Sequence, residues 1–452
     1  MLVILHGWSD EAKRFNKLAT HIAGAGVSAP IQHIRLGDYV TMDDHVTFDD
    51  LAEAMNRAWN AEVRPHEPVD LIAHSTGALV TRHWLRRKRS GPPWPIRRFV
   101  QLAPANFGSP LAHTGRTVLG RAGKGWALNK PFETGTELLH GLEIGSDFTL
   151  ELAKADRLSG PSPFQKDRIL STVLVGNTGY SGIPSLANRH GGDGTVYVST
   201  ADLNPVLFEV DFTNAPDERP AVLEVRVDPS ERVAFGVLDA VNHDGITLNH
   251  RKPDAAVLDR ISRALTVTPD TYDAWVRELD ERNRALRDTY RQPPADVDRY
   301  EEHLHRHGYQ NTVFRVVDHL GHPVTDYAIE LFVNEDQSKR DREKTKLIQE
   351  RVIRKVHVNR RDASTRAFMI DCDELAKLLT DSRTRLCLSV TASPDFNTRK
   401  SVGYKTHTSR DIGTFDMTSA TYDTFFQANR TAYFTLVIRR HIADAVFAIK
   451  RV

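Results

Sequence analysis

The most constraining feature of this chain is a serine that stands between a strand-like segment and a helix-like segment. The run Val69–Ile72 precedes the pentapeptide Ala73–Gly77, and the amphipathic stretch Ala78–Leu85 follows it. The positions two before and two after Ser75 are alanine and glycine. A sharp strand-to-helix turn needs such small neighbours, because larger side chains would collide with the strand and the helix around it.

This pattern is typical of a nucleophile elbow, in which the serine hydroxyl stands clear of the sheet and within reach of a substrate. The helix that begins after Ser75 would also present free backbone N–H groups to a developing oxyanion. The alternative is an ordinary strand-to-helix turn in which the serine caps the helix. Because the motif is short, its context along the chain has to decide between the two.

Composition excludes several classes of protein. The 452 residues suffice for two or three domains. Lys and Arg number 60 against 59 Asp and Glu, so the overall charge does not favour nucleic acid as a partner. The basic run Arg86–Arg89 is expected at a helix end, where cations suit the dipole, with membrane-surface contact as the alternative. Cys372 and Cys387 fit neither a disulfide scaffold nor a zinc site, and free thiols are expected rather than a single bridge.

The beginning of the chain reads as a core strand. Met1–Gly7 lacks the charged start and apolar stretch of a signal peptide. No run approaches the length of a transmembrane helix. A cytoplasmic location is therefore expected, with export by a leaderless route as the alternative.

From residue 1 to about 265, strand-like runs alternate with helical periodicity. This alternation predicts an α/β fold with a mainly parallel sheet covered by helices. The strand-like runs are Leu2–Leu5, Val69–Ala73, Phe99–Leu102, Ile169–Val175 and Val222–Val227. The helix-like runs are Arg14–Ala23, Phe48–Glu62, Thr76–Lys88 and Ala255–Leu265. The glycine-rich segment 104–165 interrupts the alternation and is predicted to be a lid-like insertion, with a plain surface excursion as the alternative.

The remainder of the chain changes character twice. Residues 268–305 are predicted to be a helical linker, so that the first domain covers residues 1–267. Residues 306–452 are rich in strand-like runs with polar turns and predict an antiparallel β-sandwich domain. The span Glu335–Gln349 is charged and poor in apolar residues, which indicates a mobile loop.

A serine nucleophile needs a general base and an acid that orients the base. In an elbow hydrolase these follow the serine in the order acid, then histidine. Asp193 lies in the glycine-rich loop Gly191–Val196 after a strand, although a turn that uses its carboxylate locally is the alternative. His243 lies in a polar loop after the strand-like run Val233–Leu238. The rival base is His250, and the rival acids are Asp202, Asp239 and Asp244.

The oxyanion formed during acyl transfer needs two backbone donors. One is the N–H of Thr76, directly after the serine, with Gly77 supporting the turn. The second is expected from the loop after the first strand, where Gly7 lets the backbone approach a substrate and Trp8 supplies the N–H. His6 is expected to anchor that loop rather than act as the base. His74, beside the serine, is likewise expected to pack or to support the site.

Together these segments resemble the bacterial lipases and esterases of the α/β-hydrolase superfamily, over about residues 1–265. The matching segments are His6–Trp8, Ala73–Gly77, Gly192–Val196 and Asn242–His243, and Ala103–Pro110 resembles the start of the lid region. The resemblance implies a catalytic triad of Ser75, Asp193 and His243. It also implies hydrolysis of carboxylic esters, commonly of lipids, through an acyl-enzyme and without a metal or cofactor.

Two other functions stay open at this point. An acyltransferase or thioesterase could use the same fold, but it would need an acceptor site that the sequence does not show. A non-catalytic hydrolase-like binding module would predict the loss of a triad residue, and none is lost. The β-rich domain could dock on a membrane or a protein partner, or could simply pack against the rest of the chain.

Overall fold

The structure of the protein is a computed structural model. It describes residues 1–6, 13–27, 30–34, 44–63, 67–89, 91–112, 135–181, 188–213, 222–292, 294, 296, 300–335, 339–396, 402–407 and 417–446. The chain forms two compact units. The first comprises Met1–Asn204 and Pro229–His307, and the second comprises Pro205–Asp228 and Gly308–Val452.

Six parallel strands form the sheet of the first unit. They are β1 (Leu2–Leu5), β2 (Ile31–Ile34), β3 (Val69–His74), β4 (Ile96–Leu102), β5 (Leu170–Gly176) and β8 (Ala234–Leu238). Their order is β2-β1-β3-β4-β5-β8. Every residue of β1, β3 and β5 is buried, which explains why these strands are rich in apolar residues on both faces. The predicted parallel α/β sheet is confirmed.

The helices of the first unit fall between and after these strands. They are α1 (Lys13–Gly24), α2 (Phe48–Glu62), α3 (Thr76–Lys88), α4 (Thr136–Gly141), α5 (Asp147–Ala153), α6 (Val198–Ala201), α7 (Ala255–Ala264), α8 (Pro269–Arg291) and α9 (Tyr300–His305). A π-helical turn, Lys154–Leu158, extends α5. The basic run that ends α3 lies in the last turn of that helix, as predicted.

The predicted linker is part of the first unit. Helix α8 packs on the sheet, where Trp275 Nε1 donates a hydrogen bond to Thr172 Oγ1 of β5 at 3.1 Å. The side chain of Asn283 pairs with the edge strand β8. Its amide donates to Phe235 O at 2.8 Å, and its oxygen accepts from Val237 N at 2.9 Å. The helix therefore covers the open edge of the sheet, and the prediction of a linker over residues 268–305 is wrong.

The described strands of the second unit form two larger β-sheets and one two-stranded sheet. These strands are β6 (Val206–Asp211), β7 (Val222–Val227), β9 (Tyr309–Asp318), β10 (Tyr327–Glu335), β11 (Lys339–Asp341), β12 (Ile353–Val358), β13 (Thr365–Asp371), β14 (Thr384–Ala392), β15 (Val402–Tyr404), β16 (Met417–Thr418), β17 (Thr431–Ile438) and β18 (Arg440–Ile442). The two sheets have the orders β12-β13-β9-β17-β6-β7 and β11-β10-β14-β16, and β15 pairs separately with β18. Apolar residues of both sheets share one buried core, as in a sandwich.

Two features of this unit differ from expectation. The strand Val222–Val227 does not join the parallel sheet of the first unit but pairs antiparallel with β6. Strand β17 runs parallel to both of its neighbours, β9 and β6, so the larger sheet is mixed, whereas the smaller one is antiparallel. An apolar run shows that a strand is buried but does not show which sheet it joins.

The predicted mobile loop Glu335–Gln349 is largely ordered. Strand β11 is followed by helix α10 (Arg342–Leu347) and by a π-helical turn, Ile348–Val352. Asp341 caps α10, and Ile348 and Val352 are fully buried in the core. Ile348 and Val352, the first and last residues of the π-helical turn, thus anchor this otherwise charged segment in the core. A further helix, α11 (Cys372–Leu378), follows β13. Cys372 and Cys387 are both buried and are not joined in a disulfide bond.

No helix in the described part of the chain combines the length and the apolar character that a membrane crossing requires.

Candidate active site

Ser75 occupies the turn between β3 and α3 in a strained backbone conformation. Its φ and ψ are 53° and −127°, a region that residues other than glycine rarely adopt. The backbone N–H of Ser75 donates to Leu102 O of the neighbouring strand β4 at 2.9 Å. This hydrogen bond holds the turn against the carboxyl end of the sheet, where ligands bind in open α/β folds.

Close packing requires a glycine two residues after the serine. A Cβ atom built on Gly77 would lie 2.9 Å from His6 O and 3.3 Å from Leu5 O. Both are backbone atoms at the end of β1, so they cannot swing away as a flexible side chain could. Glycine therefore lets the first turn of α3 approach the end of β1, beside the segment in which the oxyanion loop was predicted.

Asp193 lies in a tight loop after β5 and is fully buried. The flanking glycines Gly191 and Gly194 have φ values of 74° and 98°, which explains why glycine is needed at both positions. Asp193 Oδ1 accepts hydrogen bonds from the backbone N–H groups of Thr195 at 2.9 Å and Val196 at 2.8 Å. The loop thus fixes one carboxylate oxygen and leaves Oδ2 for another partner.

That partner is His243. Its Nδ1 lies 2.8 Å from Asp193 Oδ2, and its ring is 5% exposed. Because a carboxylate only accepts, the imidazole Nδ1 carries the proton and Nε2 is left as the basic nitrogen. The backbone strengthens the pair, since His243 N donates to Asp193 O at 2.9 Å. The predicted acid and base are in contact although 50 residues separate them.

His74 links this pair to the serine turn. The ring of His74 lies 4.6 Å from the ring of His243, centroid to centroid, and its Nε2 is 3.2 Å from His243 O. The ring of His74 also lies near that of Phe15, at 5.6 Å between ring centroids. His74 is the residue directly before Ser75. The Asp193–His243 pair therefore packs against the segment that carries the serine, and His74 packs as expected.

The predicted oxyanion donors are only partly described. Thr76 is buried and is the first residue of α3. His6 is buried with its ring stacked on Phe15 at 6.0 Å. Gly7 and Trp8 lie outside the described residues, so the second donor stays a prediction.

The rival acids Asp202 and Asp239 have other partners. Asp202 Oδ1 accepts from the backbone and the side-chain amide of Asn204, at 3.1 and 2.6 Å. Asp239 accepts from Tyr290 and Asn177. Asp193 therefore has the contact with the His243 ring that the sequence order predicted.

The predicted lid segment begins with buried polar contacts. Arg82 of α3 forms a bidentate ion pair with Asp156, at 2.8 and 3.0 Å, and both side chains are buried. The same guanidinium donates to the backbone and side-chain oxygens of Asn106, at 3.0 and 3.2 Å. These contacts tie residues 104–112 and the π-helical turn to the helix that follows the serine. Residues 113–134, the centre of the predicted lid, lie outside the described residues.

Several side chains that hold the acid loop had no signal in the sequence. Ser109 Oγ donates to Thr195 O at 2.6 Å, and Tyr180 Oη lies 2.9 Å from Thr195 Oγ1. His305 contacts the same loop from α9. These residues are 15 to 113 positions away from their partners, and no motif connects them. Their contacts with the loop can be seen only in the folded chain.

Comparison with solved structures identifies the fold. The chain matches "Phospholipase PlaB from Legionella pneumophila" with a TM-score of 0.81 and 22% identity, over 100% of this chain and 96% of that one. The same protein in complex with thio-NAD gives the same values. Lipase BlEst2 from Bacillus licheniformis in its mature form covers 54% of this chain and 84% of its own, at 15% identity and a TM-score of 0.35. That second similarity is too low to support an argument.

No protein-family model matches the sequence, and no curated protein matches it. The similarity to the Legionella phospholipase at 22% identity shows a shared fold over the whole chain. The chain has a parallel α/β sheet in its first unit and β-rich structure in its second, as the sequence predicted.

Proposed function

We propose that this protein is a serine carboxylic-ester hydrolase of the lipase or phospholipase type. The observation that carries the proposal is the buried Asp193–His243 hydrogen bond, packed through His74 against the strained turn of Ser75. If the sequence motifs matched only by chance, the loops of Asp193 and His243 would not be expected to pack against the segment that carries Ser75. In this proposal Ser75 is the nucleophile, His243 the general base and Asp193 the acid that orients the base, which are the three roles that acyl transfer requires.

The reaction would proceed through an acyl-enzyme. Ser75 Oγ attacks the ester carbonyl carbon while His243 Nε2 takes the hydroxyl proton. The carbonyl oxygen becomes an oxyanion, which accepts hydrogen bonds from the N–H of Thr76 and, by the sequence prediction, from that of Trp8. The tetrahedral intermediate collapses, and the alcohol leaves with the proton from His243. Water then attacks the acyl group with His243 as base, which releases the carboxylic acid and restores Ser75.

Asp193 keeps the base in its working orientation. Its carboxylate accepts from His243 Nδ1 and stabilises the imidazolium that forms in each half-reaction. Burial of the carboxylate strengthens this interaction, because little water competes for it. Two backbone N–H groups compensate for the cost of burying the charge.

A lipid ester is the substrate class that the comparisons favour. The protein that shares the fold over the whole chain is named a phospholipase. We infer that this chain also acts on a lipid acyl ester. A panel of triacylglycerols, monoacyl esters and diacyl phospholipids would identify the head group, and positional profiling would locate the bond that is cleaved.

We further propose that the second unit contacts an anionic lipid surface. Leu320, in the turn after β9, and Ile442 of β18 are 66% and 65% exposed. The backbone N–H of Arg440 lies 3.3 Å from His319 Nδ1, which places this turn beside β18. Arg439 and Arg440 are exposed and precede Ile442 in the sequence by three and two residues. Exposed aliphatic residues beside cations suit the interface of an anionic membrane.

Two substitutions test the catalytic proposal. Ser75→Ala is expected to abolish hydrolysis of p-nitrophenyl esters and labelling by a fluorophosphonate, because it removes the nucleophile. Asp193→Asn is expected to lower kcat on the order of 10³- to 10⁴-fold, because the amide favours the wrong imidazole tautomer. Steady-state kinetics, with circular dichroism to show an intact fold, would measure both effects.

The matched controls are Ser230→Ala and Asp244→Asn, which change exposed residues of the same types. Both should keep wild-type rates. Retained ester hydrolysis in Ser75→Ala would contradict the proposal, as would fluorophosphonate labelling at another serine.

A further inference from the structure

One residue of α9 holds the loop that carries the acid at two points. The backbone N–H of Gly191 donates to His305 O at 2.8 Å. His305 Nε2 lies 2.8 Å from Gly192 O. Because a carbonyl only accepts, this nitrogen carries the proton. The two contacts hold Gly191 and Gly192, the two residues immediately before Asp193, so a shift of His305 would move the carboxylate with it.

The next residue belongs to a second network, which holds the loop that carries the base. Arg306 donates a hydrogen bond to Tyr290 Oη of α8. Tyr290 Oη in turn donates to both carboxylate oxygens of Asp239, each at 3.0 Å. Asp239 and Ala240 form the turn after β8, three residues before His243.

Asn177, after β5, completes this second network. Its amide donates to Asp239 Oδ1 at 3.0 Å, and its oxygen accepts from Ala240 N at 2.9 Å. Ala240 has a φ of 57°, which a residue other than glycine rarely adopts. The side chain of Asn177 therefore keeps a strained backbone in place, and Tyr290 keeps the partner of Asn177 in place.

The electrostatic setting is consistent with a neutral His305. Burial lowers the pKa of its imidazole, while the Gly192 carbonyl opposes this shift. The charged and titratable groups around it are His190, Arg306 and Asp193. His190 itself lies 3.2 Å from Glu301 on α9. Since the Nε2 proton is present in the neutral and the charged ring alike, the contact with Gly192 survives a change in protonation.

We propose that His305 and Tyr290, joined through Arg306, are positioning residues that set the acid loop against the base loop. The inference rests on the proposed function, because it assigns these residues to the same Asp193–His243 pair. Neither side chain is proposed to touch the substrate. Their role is to keep the distance between Asp193 Oδ2 and His243 Nδ1, and displacements of about 1 Å can cost about 100-fold in rate.

The test uses three variants of the full chain. His305→Phe keeps an aromatic ring but removes the donor to Gly192, whereas His305→Gln places an amide N–H near the position of Nε2. Tyr290→Phe removes only the hydroxyl that bonds Asp239. We expect His305→Phe and Tyr290→Phe to lower kcat for a p-nitrophenyl ester by roughly 10- to 100-fold, with KM changed less than about twofold. His305→Gln should restore most of the rate.

Two further readouts separate positioning from simple loss of folded protein. In the variants that lack a donor, the midpoint of the acid limb of kcat/KM should move to lower pH, because the imidazolium loses a nearby carboxylate. The proton between His243 Nδ1 and Asp193 should give a low-field NMR resonance, assigned by its absence in His243→Gln. That resonance should shift or broaden in His305→Phe and return in His305→Gln. Loss of folded protein would lower kcat without moving either readout.

His21→Phe is the matched control. His21 Nε2 lies 3.1 Å from His250 O, so this variant also removes a contact between an imidazole and a backbone carbonyl, but away from the acid loop. It should keep the wild-type rate and resonance. The inference is overturned if His305→Phe keeps both as well, or loses activity while the resonance stays at its wild-type position. If the wild-type protein hydrolyses no ester but the resonance still responds to His305→Phe, the proposed function fails and the positioning role stands.

Discussion

Ser75 adopts a conformation that its own side chain disfavours. A positive φ at a serine costs free energy on the order of 1–3 kcal/mol and persists only where the surroundings enforce it. Here the enforcing contacts are the hydrogen bond to Leu102 and the close approach permitted by Gly77. The strain occurs at the residue to which the proposed chemistry assigns the nucleophile, and this is where strain is most often found.

His83, which is buried, and His305, which is partly buried, make an acid-sensitive contribution to the first unit. Burial lowers the pKa of His83 and of His305 below the ordinary value of 6.5. In both cases burial is the largest cause, opposed at His83 by the carboxylate of Asp49 and at His305 by the Gly192 carbonyl. The unfolded chain therefore takes up protons at a higher pH than the folded chain does.

The free energy of unfolding is expected to fall as the pH is lowered from about 7 to about 5. The contribution of each histidine is present above pH 6.5 and is lost as the pH falls from 6.5 towards the lower pKa of the folded state. Urea unfolding at several pH values would measure this dependence. His83→Gln should flatten it, while His21→Gln, which changes a less buried histidine, should leave it as in the wild type. An equal slope in His83→Gln would contradict the assignment.

At the scale of elements, the site depends on how closely α3 approaches β1. The helix begins at Thr76, directly after the serine, and its second residue is the glycine that contacts the end of β1. The side chain of Arg82, one and a half turns further on, reaches the π-helical turn that extends α5. One helix thus positions the serine and anchors part of the predicted lid segment.

Gly77→Ala is expected to destabilise the first unit by about 1–3 kcal/mol, because its methyl group would overlap two backbone oxygens that cannot move aside. Urea unfolding would measure the change. The matched control is Gly24→Ala at the end of α1, where a Cβ atom would meet nothing within 4 Å. That variant should be neutral or slightly stabilising, because alanine restricts the unfolded chain. Equal stabilities for the two variants would show that the approach of α3 to β1 is looser than described.

At the scale of the whole molecule, the chain leaves its first unit and returns to it. Residues 205–228 supply β6 and β7 to the second unit, and the chain then comes back to form β8, α7, α8 and α9. His243 and His305 both follow this excursion along the sequence. A truncation near residue 268 would therefore remove α8 from the parallel sheet of the first unit and would not simply delete an appended domain.

The second unit is expected to bind anionic vesicles through the Leu320 and Ile442 surface. Flotation with phosphatidylserine-containing vesicles should recover the wild-type protein, and binding should weaken at high salt because the arginines contribute. Leu320→Asp/Ile442→Asp should lower the bound fraction, since two aliphatic side chains are replaced by anions. Val356→Asp, at another partly exposed aliphatic residue of this unit, should bind as the wild type does. Unchanged flotation of the double variant would rule this surface out.

The sequence by itself determined the local features of this protein. Apolar runs located β1, β3 and β5, because strands buried on both faces need nearly continuous apolar side chains. The small residues around Ser75 and the glycines around Asp193 indicated tight turns, because only such residues tolerate them. The order serine, aspartate, histidine followed from the order of strands in a hydrolase sheet.

Tertiary structure alone decided how distant segments pair. The strand-like pattern of Val222–Val227 predicted a strand but not the sheet that it joins, and the pairing with β6 decided this. The amphipathic pattern of α8 did not show that Asn283 would meet the edge of β8. Likewise, no local signal brings His305 to the loop of Asp193, 112 residues away. Such contacts depend on which surfaces the whole chain leaves available, whereas the local patterns depend only on neighbouring residues.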